Sequence, residues 1–504
     1  MLFRSLNSVA KYNVSDRISL TGMLNYYNAP YLMNPSSLSK QDALNNPTKV
    51  RGFIVSQGAA EQPTQLQGGI TAKYQVNETG FTRVTVYGLG RTLINPIPGR
   101  IIDLHRNAGG IRTSYHSTFT LSQMPVQMIT GIDYEIQDDK RKEFENNGLP
   151  DGEVDSIVRD DIFKHLQYGE KLVDQQETVS GYGPFFQFEA GLLSNLNLQG
   201  GLRYDWYNFQ VDDQLLSSEV DQSGTRTMDQ LSPMIGINYL PYPNLSIYGN
   251  FSTAFQTPTS SELSNRPNGE GGFNPSLEPE RIRSVEAGAR GTLFSPRLRY
   301  NVTAFNMSIE NMIIPYQIAD PTSEEVFHEN AGIARNRGLE LLIRWRAPGS
   351  LRWMASYTFM NFTFEDYLVE AGSAGTVQLE GNQIPGVPPQ KLYSELGYDH
   401  PSGIFGELQL QWVGEYYTNN FNGPEPGSDE EVRDFINDDF ATVGLRFGST
   451  VSLTGINVSI FGGVNNLFDV RYNASIVPNA FGGNFFEPAP GRHWYLGVTA
   501  GFTP

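Results

Sequence analysis

Apolar and polar residues alternate with a period of two along most of this chain. In 195–207 (NLNLQGGLRYDWY), Leu196, Leu198, Leu202, Tyr204 and Trp206 fall on one parity, and Asn197, Gln199, Arg203 and Asp205 on the other. The same division separates Leu245, Ile247 and Phe251 from Ser246, Tyr248, Asn250 and Ser252. It separates Leu339, Leu341, Ile343 and Trp345 from Glu340, Arg344 and Arg346, and Leu408, Leu410, Trp412 and Tyr416 from Glu407, Gln409, Gln411 and Glu415. Successive side chains of a strand point to opposite faces, so each segment is predicted to be a strand with one apolar and one polar face.

A soluble sandwich alternates in the same way. Length and spacing separate the two. The pattern gives about nineteen strands, many of roughly 12–20 residues, where soluble strands average five or six. Short connections at 13–16, 76–80, 122–125, 193–197, 241–244, 295–297, 348–350 and 400–403 alternate with long ones at 29–65, 146–174, 213–228, 257–278, 317–328, 368–385, 420–434 and 473–490. Short turns on one rim and long loops on the other are the asymmetry of bacterial outer-membrane barrels. The predicted fold is all-β: a transmembrane antiparallel β-barrel with short periplasmic turns and long extracellular loops, a single domain over 1–504. The acidic stretch 138–161 (DDKRKEFENNGLPDGEVDSIVRDD) reads as a solvated extracellular loop. Trp206, Tyr204, Trp345, Trp353, Tyr357, Trp412, Tyr416 and Trp494 read as lipid-face or girdle aromatics.

Composition narrows the function classes. The 504 residues carry 54 acidic and 36 basic side chains, a net charge of −18, with 12% aromatics, 51 Gly and no Cys. Abundant Phe, Tyr, Val, Ile and Leu exclude disorder. No apolar run reaches the length of a membrane helix, and a disulfide scaffold needs Cys. An acidic chain is a poor partner for the phosphate backbone, so no nucleic acid is expected. No nucleophile elbow, zinc-binding H-E-x-x-H or phosphate loop occurs, and His105, His116, His165, His328, His400 and His493 lack metal-ligand spacing. The expectation is a non-enzyme with no cofactor and no metal site.

Strand direction adds a further expectation. Gly491–Phe502 returns to the short-turn rim, and the segment at about 4–13 also descends, into the turn 13–16. Closing the first strand on the last would make one parallel pair in an antiparallel barrel. Bacterial single-chain barrels have even strand numbers, so the parity predicts strands upstream. Residues 1–20 also hold no apolar run of secretory-signal length.

The chain resembles a known family at an ordered set of motifs. Leu245–Thr257 (LSIYGNFSTAFQT) followed by Asn274–Gly288 (NPSLEPERIRSVEAG) is similar to the barrel signature of TonB-dependent outer-membrane receptors for ferric siderophores. Asn336–Leu341 (NRGLEL), Val387–Tyr398 (VPPQKLYSELGY), Gly463–Tyr472 (GVNNLFDVRY) and Pro490–Phe502 (PGRHWYLGVTAGF) resemble its later strands, although here Thr503 and Pro504 follow the closing aromatic. The resemblance implies energy-coupled import of a scarce bulky ligand, foremost a ferric siderophore, in the outer membrane of a Gram-negative bacterium. It implies as partners the outer-membrane lipid, the TonB energy-transducing protein and the barrel-assembly machinery, with Phe502 as the assembly signal. It also implies twenty-two strands, of which this chain supplies about nineteen, and an N-terminal plug with a TonB box, which the sequence lacks. The rival readings are a passive diffusion pore and a non-transporting surface receptor or adhesin.

Glu286 and Glu340 lie on the polar parity at similar depth. In the family, glutamates at these motif positions look like partners of plug arginines, so both are candidate plug contacts. Aromatic and polar groups of the long loops and upper lumen supply the ligand candidates Tyr207, Asn306, Asn330, Arg335, Phe421, Phe485 and Phe486.

Overall fold

The computed structural model describes residues 3–150, 162–215, 221–264, 266–267, 272–294, 297–317, 326–370 and 375–502. Nineteen long strands, with the two-residue strand Leu32–Met33 attached to one of them, form a twenty-stranded sheet. In chain order they are β1 Arg4–Ser15, β2 Ile18–Asn28, β3 Ala60–Asn77, β4 Gly80–Ile97, β5 Arg100–Leu121, β6 Met124–Asn146 and β7 Tyr168–Leu193. Then follow β8 Leu196–Asp213, β9 Gly224–Tyr242, β10 Leu245–Gln256, β11 Glu280–Leu293, β12 Leu298–Glu310 and β13 Ile333–Arg346. The last are β14 Leu351–Asp366, β15 Gln390–Asp399, β16 Ile404–Val413, β17 Phe440–Leu453, β18 Ile456–Asn465 and β19 His493–Phe502. Each pairs antiparallel with the next. The strand number expected from periodicity is the number found. β1 and β19 run in the same direction, and no pairing joins them among the described residues.

Register across β10 to β14 shows how the wall meets lipid. From the short-turn rim upward, outward side chains form rows: Leu293, Leu298, Trp345 and Trp353; then Leu245, Tyr300, Ile343 and Ala355. Above them come Ile247, Ala289, Val302, Leu341 and Tyr357, then Ala287, Ala304, Leu339 and Phe359. The fifth row mixes Phe251 and Val285 with Asn306, Arg337 and Asn361, and the sixth is polar, with Thr253, Arg283, Ser308, Arg335 and Thr363. Rows lie two residues apart, which at the usual strand tilt is about 5 Å of height, so five rows cover the ~25 Å apolar band of an outer-membrane barrel. The remaining strand length stands above the membrane.

The outer connections are long with one exception. Between β4 and β5 the chain turns in two residues, with Gly99 at φ 83° supplying the left-handed conformation that a side chain disfavours. Described residues of the longer connections pack into small cores that form a loop layer. Ile314, Ala331, Ala334, Phe364, Tyr367, Leu379 and Ile384 form one, and Leu38, Ala43, Phe435, Ala480, Phe485 and Phe486 another. The second joins the loop after β2 to the loop before β19, with Lys40 paired to Asp438 at 3.1 Å. The loop layer thus links the two ends of the sheet.

Two sequence expectations need correction. Residues 138–146 of the predicted acidic loop belong to β6, where Asp139, Arg141 and Glu143 are buried because their charges meet across the lumen face; residues 151–161 lie outside the described residues. Tyr416 is buried in the loop layer, in a short strand with Tyr417, and does not face lipid.

The alternation yields a direct test. Leu341 is outward in the middle row and Leu342 points into the lumen. Leu341→Arg should destabilise the barrel by about 2–4 kcal/mol, the cost of an arginine at the bilayer midplane. Leu342→Arg should cost far less. Urea unfolding in lipid vesicles measures both.

Candidate functional site: the lumen and its outer vestibule

Short turns and strict pairing place every second side chain of the wall in the lumen, and that face is heavily charged. Near the short-turn rim, Arg352 on β14 binds Glu395 and Asp399 on β15 at 2.5 and 3.0 Å, and Glu407 on β16. Arg446 on β17 reaches Glu407 at 3.3 Å. A Cβ at Gly397 would stand 2.4 Å from Arg352 Cζ, so the missing side chain gives the guanidinium its place. Higher up, Asp139 accepts from Arg106 Nε and Nη2 at 2.8 and 2.6 Å, a bidentate pair. Glu143 is shared by Arg100 and Arg141 at 2.6 and 2.5 Å.

Glu286 and Glu340 differ from these. Both face the lumen and flank β12, Glu286 opposite Phe305 and Glu340 opposite Thr303. Phe305 and Thr303 are two residues apart on one face, so the two carboxylates fall in neighbouring rows of the lumen. Neither has a hydrogen-bond or ion-pair partner among the described residues, although the wall around them is rich in arginine.

The predicted ligand contacts are scattered. Tyr207 faces the lumen on β8, its hydroxyl donating to Glu135 Oε1 at 3.1 Å. Asn306 and Arg335 point outward, Asn306 opposite Val285 and Arg337, Arg335 paired with Glu365 at 2.5 Å. Their parity removes them from the lumen. Asn330 is a loop staple: Nδ2 donates to the carbonyls of Glu278 and Asn311 at 2.9 and 2.8 Å, and Oδ1 accepts from Glu278 N at 2.7 Å. Phe421 packs half-buried against the core containing Phe364. Phe485 and Phe486 are enclosed in the second loop core, at 3% and 0% exposure. Phe502 pairs through its backbone with Ile456, and its side chain lies outside the described residues.

Sequence reasoning missed the cluster on β4 to β7 above the apolar band. There Arg91, Arg106, Asp139, Arg141 and Glu177 line a cavity of about 330 Å³ under the loop layer, covered by Ser261 and Glu262 from the short helix Ser260–Ser264 and by Val326 and His328. His328 Nε2 lies 3.8 Å from Glu262 Oε1, and Nδ1 is buried without a partner. Burial holds this imidazole below its usual range against the pull of Glu262, so the ring is uncharged at neutral pH. Tyr367, in the neighbouring loop core, has its hydroxyl pushed up by burial and by donating to Glu329 at 2.5 Å, which fixes it as a donor. The signal for the cluster was charge of constant parity running on past the apolar rows.

An antiparallel wall with an apolar outer band, a charged lumen and packed loops over the long-loop mouth is the architecture of a bacterial outer-membrane β-barrel. Comparison with known proteins makes this specific. Residues 6–467 match the family described as TonB dependent receptor-like, beta-barrel, and the chain belongs to that family. This places it in the outer membrane of a Gram-negative bacterium. Among its relatives are the metal-pseudopaline receptor CntO of Pseudomonas aeruginosa, 24% identical over 277 residues, covering 54% of this chain and 34% of that protein. The ferric-pyoverdine M114 receptor PbuA of a Pseudomonas species is 24% identical over 331 residues, covering 64% and 36%. The matched segments therefore span about a third of the length of these curated relatives. The ferric citrate transporter FecA superposes with a TM-score of 0.76 at 16% identity, over 99% of this chain and 70% of that one. The siderophore receptor PiuA from Acinetobacter baumannii gives 0.74 at 15%, over 99% and 74%. At such identities the structural likeness shows the fold. These relatives are receptors and transporters, not enzymes.

The Arg352 network predicts its own measurement. Arg352→Ala leaves three carboxylates facing one another. The side chain is about one-third exposed, so we expect a loss of about 1–3 kcal/mol, below that of a fully buried pair. Adding Glu407→Gln to Arg352→Ala should recover part of it, as read from the denaturation midpoint.

Proposed function

We propose that this chain forms the wall of an energy-coupled outer-membrane receptor that imports a scarce, bulky metal chelate, foremost a ferric siderophore, with a plug domain filling the lumen and TonB supplying the drive. The observation that carries the reading is the loop layer. Packed cores over the outer mouth of a wide polar lumen suit selective capture better than free diffusion, because a pore gains nothing from a preorganised cap. Named relatives support the cargo: CntO is a metal-pseudopaline receptor and PbuA a ferric-pyoverdine receptor. The test is uptake of radiolabelled ferric siderophores by iron-starved cells producing the receptor. Uptake abolished by dissipating the proton-motive force or deleting TonB is the expected result. Uptake that survives both would make the barrel a passive pore.

Within that receptor, Glu286 and Glu340 hold the plug. Two lumen carboxylates in neighbouring rows, unpartnered among the described residues, suit two arginines of a plug surface. Removing one partner of a buried pair costs roughly 3–5 kcal/mol, because the other charge stays behind uncompensated. Glu286→Ala and Glu340→Ala should leave outer-membrane levels near wild type while impairing uptake and admitting large antibiotics. Lys at either position should be worse than Ala. Gln409→Ala, in the lumen on β16, is the control and should do little. Normal uptake with no added antibiotic entry in both Ala variants would show that the carboxylates merely line a wet lumen.

A further inference from the structure

Three arginines and three carboxylates line the cavity on the upper wall, yet one arginine is left over, because Glu262 is engaged by Thr259 N at 2.7 Å and by the His328 ring at 3.8 Å. Arg91 on β4 is directly opposite Arg106 on β5, both on the lumen face. Arg141 on β6 is opposite Leu104, one lumen position along β5 from Arg106. Like charges facing one another across a strand pair repel unless something neutralises them. Arg106 is neutralised. Its partner Asp139 is 0% exposed and also accepts from Gln137 Nε2 at 3.0 Å, so its oxygens are occupied. Arg141 is held by Glu143. Glu177, 1% exposed, accepts from Gln175 and Ser264 at 2.8 and 2.7 Å. Arg91 is left without a hydrogen bond or ion pair among the described residues, although it lines the same cavity. His328 lines it too and leaves Nδ1 buried and unpartnered.

We propose that this cavity is an oxyanion subsite of the receptor, in which Arg91 binds a free carboxylate arm of the imported chelate. The inference rests on the receptor reading above and adds the class of cargo: chelates that keep uncoordinated carboxylates. A guanidinium binds a carboxylate through two parallel hydrogen bonds. At about 330 Å³ the cavity lies at the small end of ligand pockets, enough for an arm of the cargo and not the whole of it. The chain's net charge of −18 repels an anion at long range, so an anionic cargo needs cations placed locally where it docks. An uncharged chelate would leave Arg91 desolvated and unpaired under the loop layer, a loss of affinity.

The probe is citrate, titrated calorimetrically into the 504-residue chain folded in detergent. Citrate should bind the wild-type chain. Arg91→Gln should weaken it about ten- to a hundredfold, the usual loss for a charge-assisted hydrogen bond. Arg91→Lys should recover part of the affinity, and Arg290→Gln, which removes the same charge elsewhere in the lumen, should change nothing. Absence of citrate binding, equal binding by Arg91→Gln, or an equal loss in Arg290→Gln would each overturn the subsite. A second arm compares cellular uptake of a carboxylate-rich ferric chelate with that of a hydroxamate chelate lacking carboxylates. Arg91→Glu should impair the first selectively. If Arg91→Glu imports both normally, the subsite fails and the receptor stands. If the wild type imports no ferric chelate, the receptor reading fails whatever citrate does.

Discussion

Hydrocarbon offers the backbone no hydrogen-bond partner, and nearly everything in this structure follows from that one constraint. Each buried N–H and C=O must bond within the protein, at several kcal/mol per failure. Between β1 and β19 the chain meets the demand with an antiparallel ladder in which each strand pairs with the next. A wall one residue thick cannot contain a hydrophobic core. Its apolar side chains go to lipid, as Leu341 and Phe359 do, and the opposite parity lines a wet lumen. Core packing is therefore exported to the loop layer, where Phe364, Phe486 and Leu263 are almost fully enclosed.

The same thinness decides how lumen charges behave. A charge facing a wet interior is not forced to find a partner, so pairing there is informative. Arg352, Glu395, Glu407 and Arg446 satisfy one another from four neighbouring strands and act as a cross-brace on the inner face. Glu286 and Glu340 have arginines of the same parity on their own strands, Arg290 on β11 and Arg344 on β13, yet make no pair with them among the described residues. Arg91 faces a second arginine. Wall stability gains nothing from either arrangement.

How much of this was legible in the sequence depended on height along the strands. Within the apolar band, one face meets lipid and the other water, so period-two alternation read directly as strand, face and count. Glu286 and Glu340 could be assigned to the lumen by parity alone. Above the band both faces are wet, and hydrophobicity no longer reports orientation. Asn306 and Arg335 look like lumen residues because they are polar, but the register carried up from Ala304 and Leu339 turns them outward. The same loss of signal made 138–146 look like a loop, although its alternating charges, Asp139, Arg141 and Glu143, are the inward parity of a strand. The enclosure of Phe485 and Phe486 was hidden for another reason. Loop cores join segments hundreds of residues apart, such as Leu38 with Phe486, and no local pattern encodes which aromatic will be covered.

Strands longer than the membrane requires explain why a cap can be selective. The wall of β4 to β8 rises past the lipid and gives the loops a rigid surface to fold against. Gln137 donates to Ser260 at 3.1 Å and Ser264 donates to Glu177 at 2.7 Å, so the loop helix is bolted to β6 and β7. Asn479 joins two other loops through the carbonyl of Pro315 at 2.9 Å and the amide of Asn420 at 2.9 Å. Loops held in this way have already lost much of the conformational entropy that a flexible lid would lose on closing over a ligand. A charged group held in a preformed pocket discriminates between ligands more sharply than the same group on a mobile loop.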